Sequence, residues 1–217
     1  MNDKMYHLIR IFLTKNPVMP WRIGNWIGRT FFYGNVNINN AKHWDERFAN
    51  LAYDANKSEL KLRKHIISQI SKNDNVLDVG CGDAVLLNEL KKKKFKNLAG
   101  LDISKVAIEN LKKAGILGKV SKLPEVPFPM NSFDVVIATE VLEHIPADKK
   151  TVQNMLGVVK PGGFLFVSVP NNCMGPDIEP EHLRKYTRHD LKRLLKDLKN
   201  LKFKVFEPRI LAYGYKK

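Results

Sequence analysis

The segment ATEVLEHIPADKK, Ala138 to Lys150, carries two carboxylates and an imidazole at Glu140, Glu143 and His144. Their i, i+3, i+4 spacing predicts one shared face of a helix. Two chemistries suit such a face. In one, His144 or a glutamate is a general base, which needs hydrogen-bond reach and a pKa near neutrality. In the other, the three side chains hold a divalent ion such as Mg²⁺ or Mn²⁺, which lowers the pKa of a bound hydroxyl. Plainer readings stay open beside these. Acidic groups in a first turn favour the helix dipole without further reason, and His144 can pack as a hydrogen-bonded core residue beside Ile145 and Pro146. Further along, EPEHLRKYTRHDL supplies His182 in the loop after the strand VSVPN, from which it can return to the same sheet edge.

A second cluster lies upstream, in VLDVGCGDAVLLNEL, Val76 to Leu90. Gly80 and Gly82 allow a tight turn and close approach of a ligand to the backbone, and the following helix offers unpaired N–H groups. A dinucleotide site would want a third glycine where Val85 stands, so a pyrophosphate is disfavoured. Asp102 ends the run LAGLD, and a carboxylate at the tip of a second strand accepts hydrogen bonds from both hydroxyls of a ribose. Asp78 adds negative charge beside the glycine turn, which suits a cationic amino or sulfonium group better than a phosphate.

The elements that must position these residues are readable from about residue 58. Ser58 to Ile70 has Leu62, Ile66, Ile67 and Ile70 on one side, as in a helix. The runs NVLDVG, NLAGLDI, FDVVIAT and GGFLFVSVP suit buried parallel strands. Between them, Val152, Met155, Leu156 and Val159 form a helical stripe that PGG at 161–163 should end, and Leu191, Leu194, Leu195 and Leu198 form another. The latter starts at Thr187, with Asp190 as its capping-box partner. KLPEVPFPMNS reads as a Pro-rich loop where a helix is expected. Such alternation implies an open, doubly wound, mostly parallel α/β sheet with ligands at the carboxyl ends of its strands.

The chain's 217 residues, 44% hydrophobic and 27% charged, fit one large domain with a sizeable core. Two cysteines, Cys81 and Cys173, belong to no CxxC pair, which argues against a disulfide framework or a cysteine-rich zinc site and for a reducing, cytoplasmic setting. The 37 Lys and Arg against 22 Asp and Glu leave a formal net charge of +15. Such a charge favours RNA or an anionic membrane surface, or reflects lysines spread over solvated helices. Residues 1–57 read as a basic, aromatic extension. Met5, Leu8, Ile9, Phe12 and Leu13 recur at helical spacing, Trp21, Trp26, Phe31 and Phe32 follow, and Trp44, Asp45, Arg47 and Phe48 suggest a lid. This extension suits peripheral membrane attachment or packing over the active site or a partner subunit.

With these motifs in order, LDVGCGDAVLL, GLDIS, PFPMNSFDVVIATEVLEHI and VKPGGFLFVSVPN, the chain from Val76 onward resembles the class I S-adenosylmethionine-dependent methyltransferases, of the type that includes ubiquinone-biosynthesis O-methyltransferases. The resemblance implies a Rossmann-like, seven-stranded sheet over residues 58–217, ending in an antiparallel hairpin for which KFKVFEP and ILAYGY would serve. It implies that Asp78, Gly80, Cys81 and Gly82 border the methionine part of the cofactor, that Asp102 holds the ribose and Ile103 lies against adenine, and that Thr139 and Glu140 sit beside the reacting methyl. The adenine loop departs from the family, with Ser121, Lys122 and Leu123 where an acidic residue often stands, leaving backbone groups to contact the adenine amino group. Ala84 fills the third small position of the glycine motif. Cys81 is then a small loop residue, because methyl transfer from a sulfonium needs no thiol nucleophile. Glu143, His144 and His182 become the acceptor side, as bases or, with Glu140, as metal ligands, an arrangement that resembles metal-dependent O-methyltransferases. The acceptor expected is a small molecule with phenolic or sugar hydroxyls, beside RNA ribose and a quinone-like lipid. A non-catalytic cofactor-binding module is the reading of a different class.

Overall fold

Period-2 alternation divides the strand residues between two faces, and both faces are covered. The computed structural model describes residues 37–50, 57–171 and 181–217. Its elements in chain order are α1 (Ala41–Asn50), α2 (Lys57–Ile67), β1 (Asn75–Val79), α3 (Val85–Lys92), β2 (Asn97–Asp102), α4 (Lys105–Lys113), β3 (Leu117–Val120) and β4 (Phe133–Thr139). A 3₁₀ turn (Leu142–His144), α5 (Asp148–Val158), β5 (Val159–Pro170), α6 (Arg188–Leu194), β6 (Leu198–Phe206) and β7 (Arg209–Lys216) follow. The seven strands form one sheet in the order β3-β2-β1-β4-β5-β7-β6. The first five are parallel, and β7 runs antiparallel to both β5 and β6, as the resemblance implied.

Register places like with like. Leu77 lies opposite Val136, and both belong to a core completed by Val152 and Met155 of α5 and Leu191 of α6. Their neighbours Val76 and Val135 point to the other face, where Leu62 and Ile66 of α2, Leu87 and Leu90 of α3 and Ile108 and Leu111 of α4 cover them. The Pro-rich loop substitutes for a helix on the first face: Leu123, Val126 and Phe128 pack against that core, and the Phe128 ring stands edge-on to Phe133 at 5.1 Å.

Several boundaries differ from the sequence reading. The helix α5 stops at Val158, and Pro161, Gly162 and Gly163 lie inside β5 rather than ending the helix. Pairing of β4 with β5 shifts between Phe133 and Val135, and a Cβ on Gly163 would stand 2.7 Å from the Asp134 carbonyl, so only glycine fits. Leu198 opens β6 instead of extending α6, and α2 ends at Ile67, about a turn early. The capping box between Thr187 and Asp190 is present. The apolar and aromatic stripe from Met5 to Phe32 lies outside the described residues. Among those described, no helix is long and apolar enough to cross a membrane.

Gly100 in β2 tests how tightly α3 and α4 press on the sheet. An added Cβ would lie 2.5 Å from Leu111 Cδ2 and 2.9 Å from Cys81 Sγ. Gly100→Ala is expected to lower the unfolding free energy by about 1–3 kcal/mol in urea titrations, because overpacking forces neighbours off their rotamers.

Candidate active site

The turn after β1 is built by strand ends that share hydrogen bonds. Gly80 and Cys81 N–H both donate to the Leu101 carbonyl at 2.7 and 3.1 Å, and Gly82 N–H donates to Asp102 Oδ2 at 2.9 Å. Gly80 and Gly82 sit at φ of +71° and +49°, where L side chains are strained. Space is also short, since a Cβ on Gly80 would stand 2.5 Å from Val141 Cγ2. Asp102 Oδ1 accepts from Ser104 N–H at 2.9 Å, which fixes the carboxylate at the tip of β2.

Carboxyl groups crowd this turn. Asp78 is 3% exposed, and its Oδ1 has no hydrogen-bond partner among the described residues. Burial, reinforced by Asp102 and Asp83, pushes its carboxyl up to about 8. Burial also raises Asp83 and Asp102 above the ordinary carboxylate range, although backbone N–H groups oppose it. The buried Cys81 thiol is driven upward by burial and then by Asp78, so it holds no thiolate.

Two cavities open at this edge, of about 320 and 530 Å³, and they share Trp44, Phe48, Gly80, Glu140 and His144. Asp102, Ile103, Ser121, Lys122 and Leu123 line the smaller one. The larger is lined by Asp78, Cys81, Gly82, Thr139, Glu143 and His182. Each candidate cofactor, acceptor and metal residue from Asp78 to His182 thus borders one cavity or the other. Helix α1 covers both, with Phe48 Cε1 3.1 Å from where a Gly82 Cβ would be.

The helical-face reading of Glu140, Glu143 and His144 is corrected. Glu140 adopts φ of +56°, and only a three-residue 3₁₀ turn follows it, so the i, i+3 relation is broken. Glu140 turns toward the far strands instead. Its N–H donates to the Ser168 carbonyl at 3.0 Å, its Oε1 accepts from Ser168 Oγ at 3.0 Å, and its Oε2 pairs with Arg209 Nε at 3.1 Å. Burial raises its carboxyl, and Arg209 opposes that shift. The ligating atoms of Glu143, His144 and His182 lie within 4.8 Å of one another, and Glu140 is not in that group.

His144 Nδ1 lies 3.2 Å from the Glu181 carbonyl, which can only accept, so Nδ1 carries the proton and Nε2 the lone pair. That Nε2 stands 4.0 Å from Glu143 Oε1. Burial, then the neighbouring His182, pushes the imidazole down to about 4, which leaves it neutral at pH 7. Leu183 N–H donates to the Glu143 carbonyl at 2.8 Å, tying the His182 loop to the 3₁₀ turn.

Arg209, Ser168 and Glu181 were not singled out in the sequence. The hairpin gave a usable signal for the first: because β7 is antiparallel, its beginning lies at the ligand edge, with Arg209 opposite Pro170. Ser168 and Glu181 carried no local signal.

A family model described as a methyltransferase domain matches residues 43–199. The chain belongs to the class I S-adenosylmethionine-dependent methyltransferases. The match begins inside α1, so it takes in part of the segment 1–57 that the sequence marks as an extension. A ubiquinone biosynthesis O-methyltransferase of Coxiella burnetii is 33% identical over 115 residues, 50% of this chain and 49% of the relative. One of Neisseria meningitidis is 26% identical over 139 residues, 57% and 58% of the two chains. The methyltransferase thus spans about half the length of the curated relatives it matches. A SAM-dependent methyltransferase structure from Aquifex aeolicus aligns with a TM-score of 0.59 at 18% identity, covering 79% of this chain and 97% of its own. The [4+2]-cyclase SpnF aligns at 0.61 and 13%, covering 93% and 97%. These likenesses show the fold alone, and the second shows that the fold hosts other chemistry.

The raised Asp78 carboxyl makes stability pH-dependent. Its ordinary value is 3.8 and its folded value about 8, so between these only the folded state holds the proton. Stability from this group is present in full at low pH, falls as pH rises across that window, and levels off above it. Asp78→Asn is expected to gain stability over wild type between about pH 5 and about pH 8 in urea titrations.

Proposed function

We propose that this methyltransferase transfers a methyl group from S-adenosylmethionine to a hydroxyl of a small molecule, with His144 as general base. The observation that carries the reading is the His144 lone pair, with Nε2 at the junction of both cavities and beside Glu143. Because its pKa of about 4 lies below the near-neutral range that favours a free-standing base, its part is to accept the hydroxyl's hydrogen bond and to take the proton only as the methyl is transferred.

The residues present fit the cofactor. Asp102 is placed to accept from ribose hydroxyls, Ile103 and Leu123 offer apolar surface to a base, and Gly80 and Gly82 leave room for close backbone approach. The buried Asp78 carboxyl, without a hydrogen-bond partner at Oδ1, suits an ammonium that would hold it ionised. When bound, S-adenosylmethionine supplies an electrophilic methyl on a sulfonium sulfur. Around that methyl, Glu140 and Thr139 form a wall fixed by Ser168, His144 takes the acceptor's proton at Nε2, and Trp44 and Phe48 exclude water. The names of the ubiquinone-pathway relatives support an oxygen acceptor, and the cavity size supports a compact one. The net charge of +15 supports RNA or a lipid surface as the competing acceptor setting. We place the catalytic domain at 58–217, with 1–57 as extension and lid, in the cytoplasm.

A second reading is metal assistance, favoured by the grouping of Glu143, His144 and His182. One carboxylate and two imidazoles would suit Mn²⁺ better than Mg²⁺, and such an ion would lower the pKa of an acceptor hydroxyl.

Calorimetry with S-adenosylmethionine and S-adenosylhomocysteine, followed by radiolabelled methyl transfer to small-molecule, lipid and RNA fractions, tests the proposal. Binding is expected for both ligands. Alanine at Glu143, His144 or His182 should leave that binding within about threefold and cut transfer about 100-fold or more. Transfer that survives EDTA removes the metal reading, and absence of binding to either ligand removes the methyl-transfer reading.

A further inference from the structure

Helix α1 covers both cavities, yet it has little apolar hold on the molecule: none of residues 41–49 is buried. Polar contacts fasten it at two places. On the cofactor side, Asp45 Oδ1 accepts from Ser104 Oγ at 2.5 Å and from Val106 N–H at 3.1 Å, at the start of α4 and two residues beyond Asp102. On the acceptor side, Glu181 Oε1 accepts from Arg47 Nη1 at 2.8 Å and from His43 Nε2 at 3.1 Å. Asn39 Nδ2 donates to the Glu181 carbonyl at 2.8 Å, the same carbonyl that orients His144.

Glu181 is unusual for a carboxylate in a loop. Its side chain is 6% exposed, whereas Arg47 is 44% exposed. A buried carboxylate persists only when paired, and among the described residues both of its side-chain partners come from α1. The described residues that follow it are fastened separately, because Leu183 N–H is bonded to the Glu143 carbonyl and Arg184 is paired with Asp148. What the carboxylate holds is therefore the helix. Between the two fastenings, Trp44 stands edge-on to His144, with ring centroids 5.1 Å apart, and His144 in turn lies 4.9 Å from His182.

We infer that Glu181 is a positioning residue, a clasp that draws α1 across the acceptor chamber and seats Trp44 against His144. Opening the clasp frees the face of α1 that carries His43 and Arg47, while Asp45, between them in sequence and on the opposite face, still bonds to Ser104 and Val106. One side chain thereby couples access to the chamber with the surroundings of the imidazole proposed as base. The role in turnover rests on the methyl-transfer reading, but the clasp itself does not.

The test uses the full chain with Trp21→Phe and Trp26→Phe, which leaves Trp44 as the single tryptophan of the three. Acrylamide quenching reads exposure of Trp44, and stopped-flow fluorescence reads release of S-adenosylhomocysteine. Glu181→Ala is expected to raise the quenching constant about threefold and the release rate about tenfold. Glu181→Gln, which still accepts from Arg47 and His43, should fall between that variant and the parent. His43→Ala with Arg47→Ala should match Glu181→Ala, and it removes the clasp from the exposed side if emptying the buried position prevents folding. Parental quenching in folded Glu181→Ala and in the double variant would overturn the clasp. A parent protein that binds no S-adenosylhomocysteine would overturn the methyl-transfer reading instead, since the quenching arm needs no ligand.

Discussion

One carbonyl organises the ligand edge of the sheet. Leu101 O accepts from both Gly80 and Cys81, and one residue further Asp102 accepts from Gly82, so the ends of β1 and β2 are joined as one unit. This junction forces the left-handed turn at Gly80 and Gly82, brings Val141 against the first and Phe48 against the second, and so shapes both cavities. It also brings the half-buried Asp83 close to the buried Asp78 and Asp102, and each carboxyl is held above its ordinary range. In the free protein the crowding keeps Asp78 protonated at neutral pH, and a cation arriving beside it would favour its ionised form. A site that binds a sulfonium-bearing amino acid nucleoside is a place where such a conflict serves function.

The other half of the edge depends on the reversal of β7. Parallel strands β4 and β5 present Glu140 and Ser168 at their carboxyl ends, and the antiparallel β7 presents Arg209 from its beginning. Serine and arginine together hold Glu140 in a backbone conformation rare for glutamate. With Glu140 turned that way, the next turn is free to aim Glu143 and His144 toward His182. Backbone carbonyls do the finer work, Glu181 O setting the His144 tautomer and Leu142 O receiving the Tyr186 hydroxyl at 3.1 Å.

Local patterns in the sequence were enough for most of the architecture. Short, mostly apolar runs mark strands buried on both faces, and β1, β2, β4 and the second half of β5 are such runs. Thr187 and Asp190 mark a helix start because the capping box is contained within four residues. The glycine turn and Asp102 are legible for the same reason, each being dictated by backbone geometry at a strand tip. Long-range partners are a different matter. Spacing alone suggested that Glu140 and Glu143 share a face, but the Ser168 and Arg209 contacts that twist Glu140 away come from 28 and 69 positions further along the chain. Glu181 looked like any loop acid, and its partner Asn39 is 142 positions distant. PGG read as a helix stop because the bulge that places it within β5 is a property of pairing with β4.

In the proposed reaction, one edge of the sheet holds a nucleoside at Asp102 and presents its sulfur to the His144 side. A crystal structure of the chain with S-adenosylhomocysteine tests it most directly. Expected are ribose hydroxyls on the Asp102 carboxylate, the amino group near Asp78, and the sulfur facing the chamber shared by Glu140 and His144. A ligand bound away from Asp102, or one whose sulfur points away from His144, would contradict it.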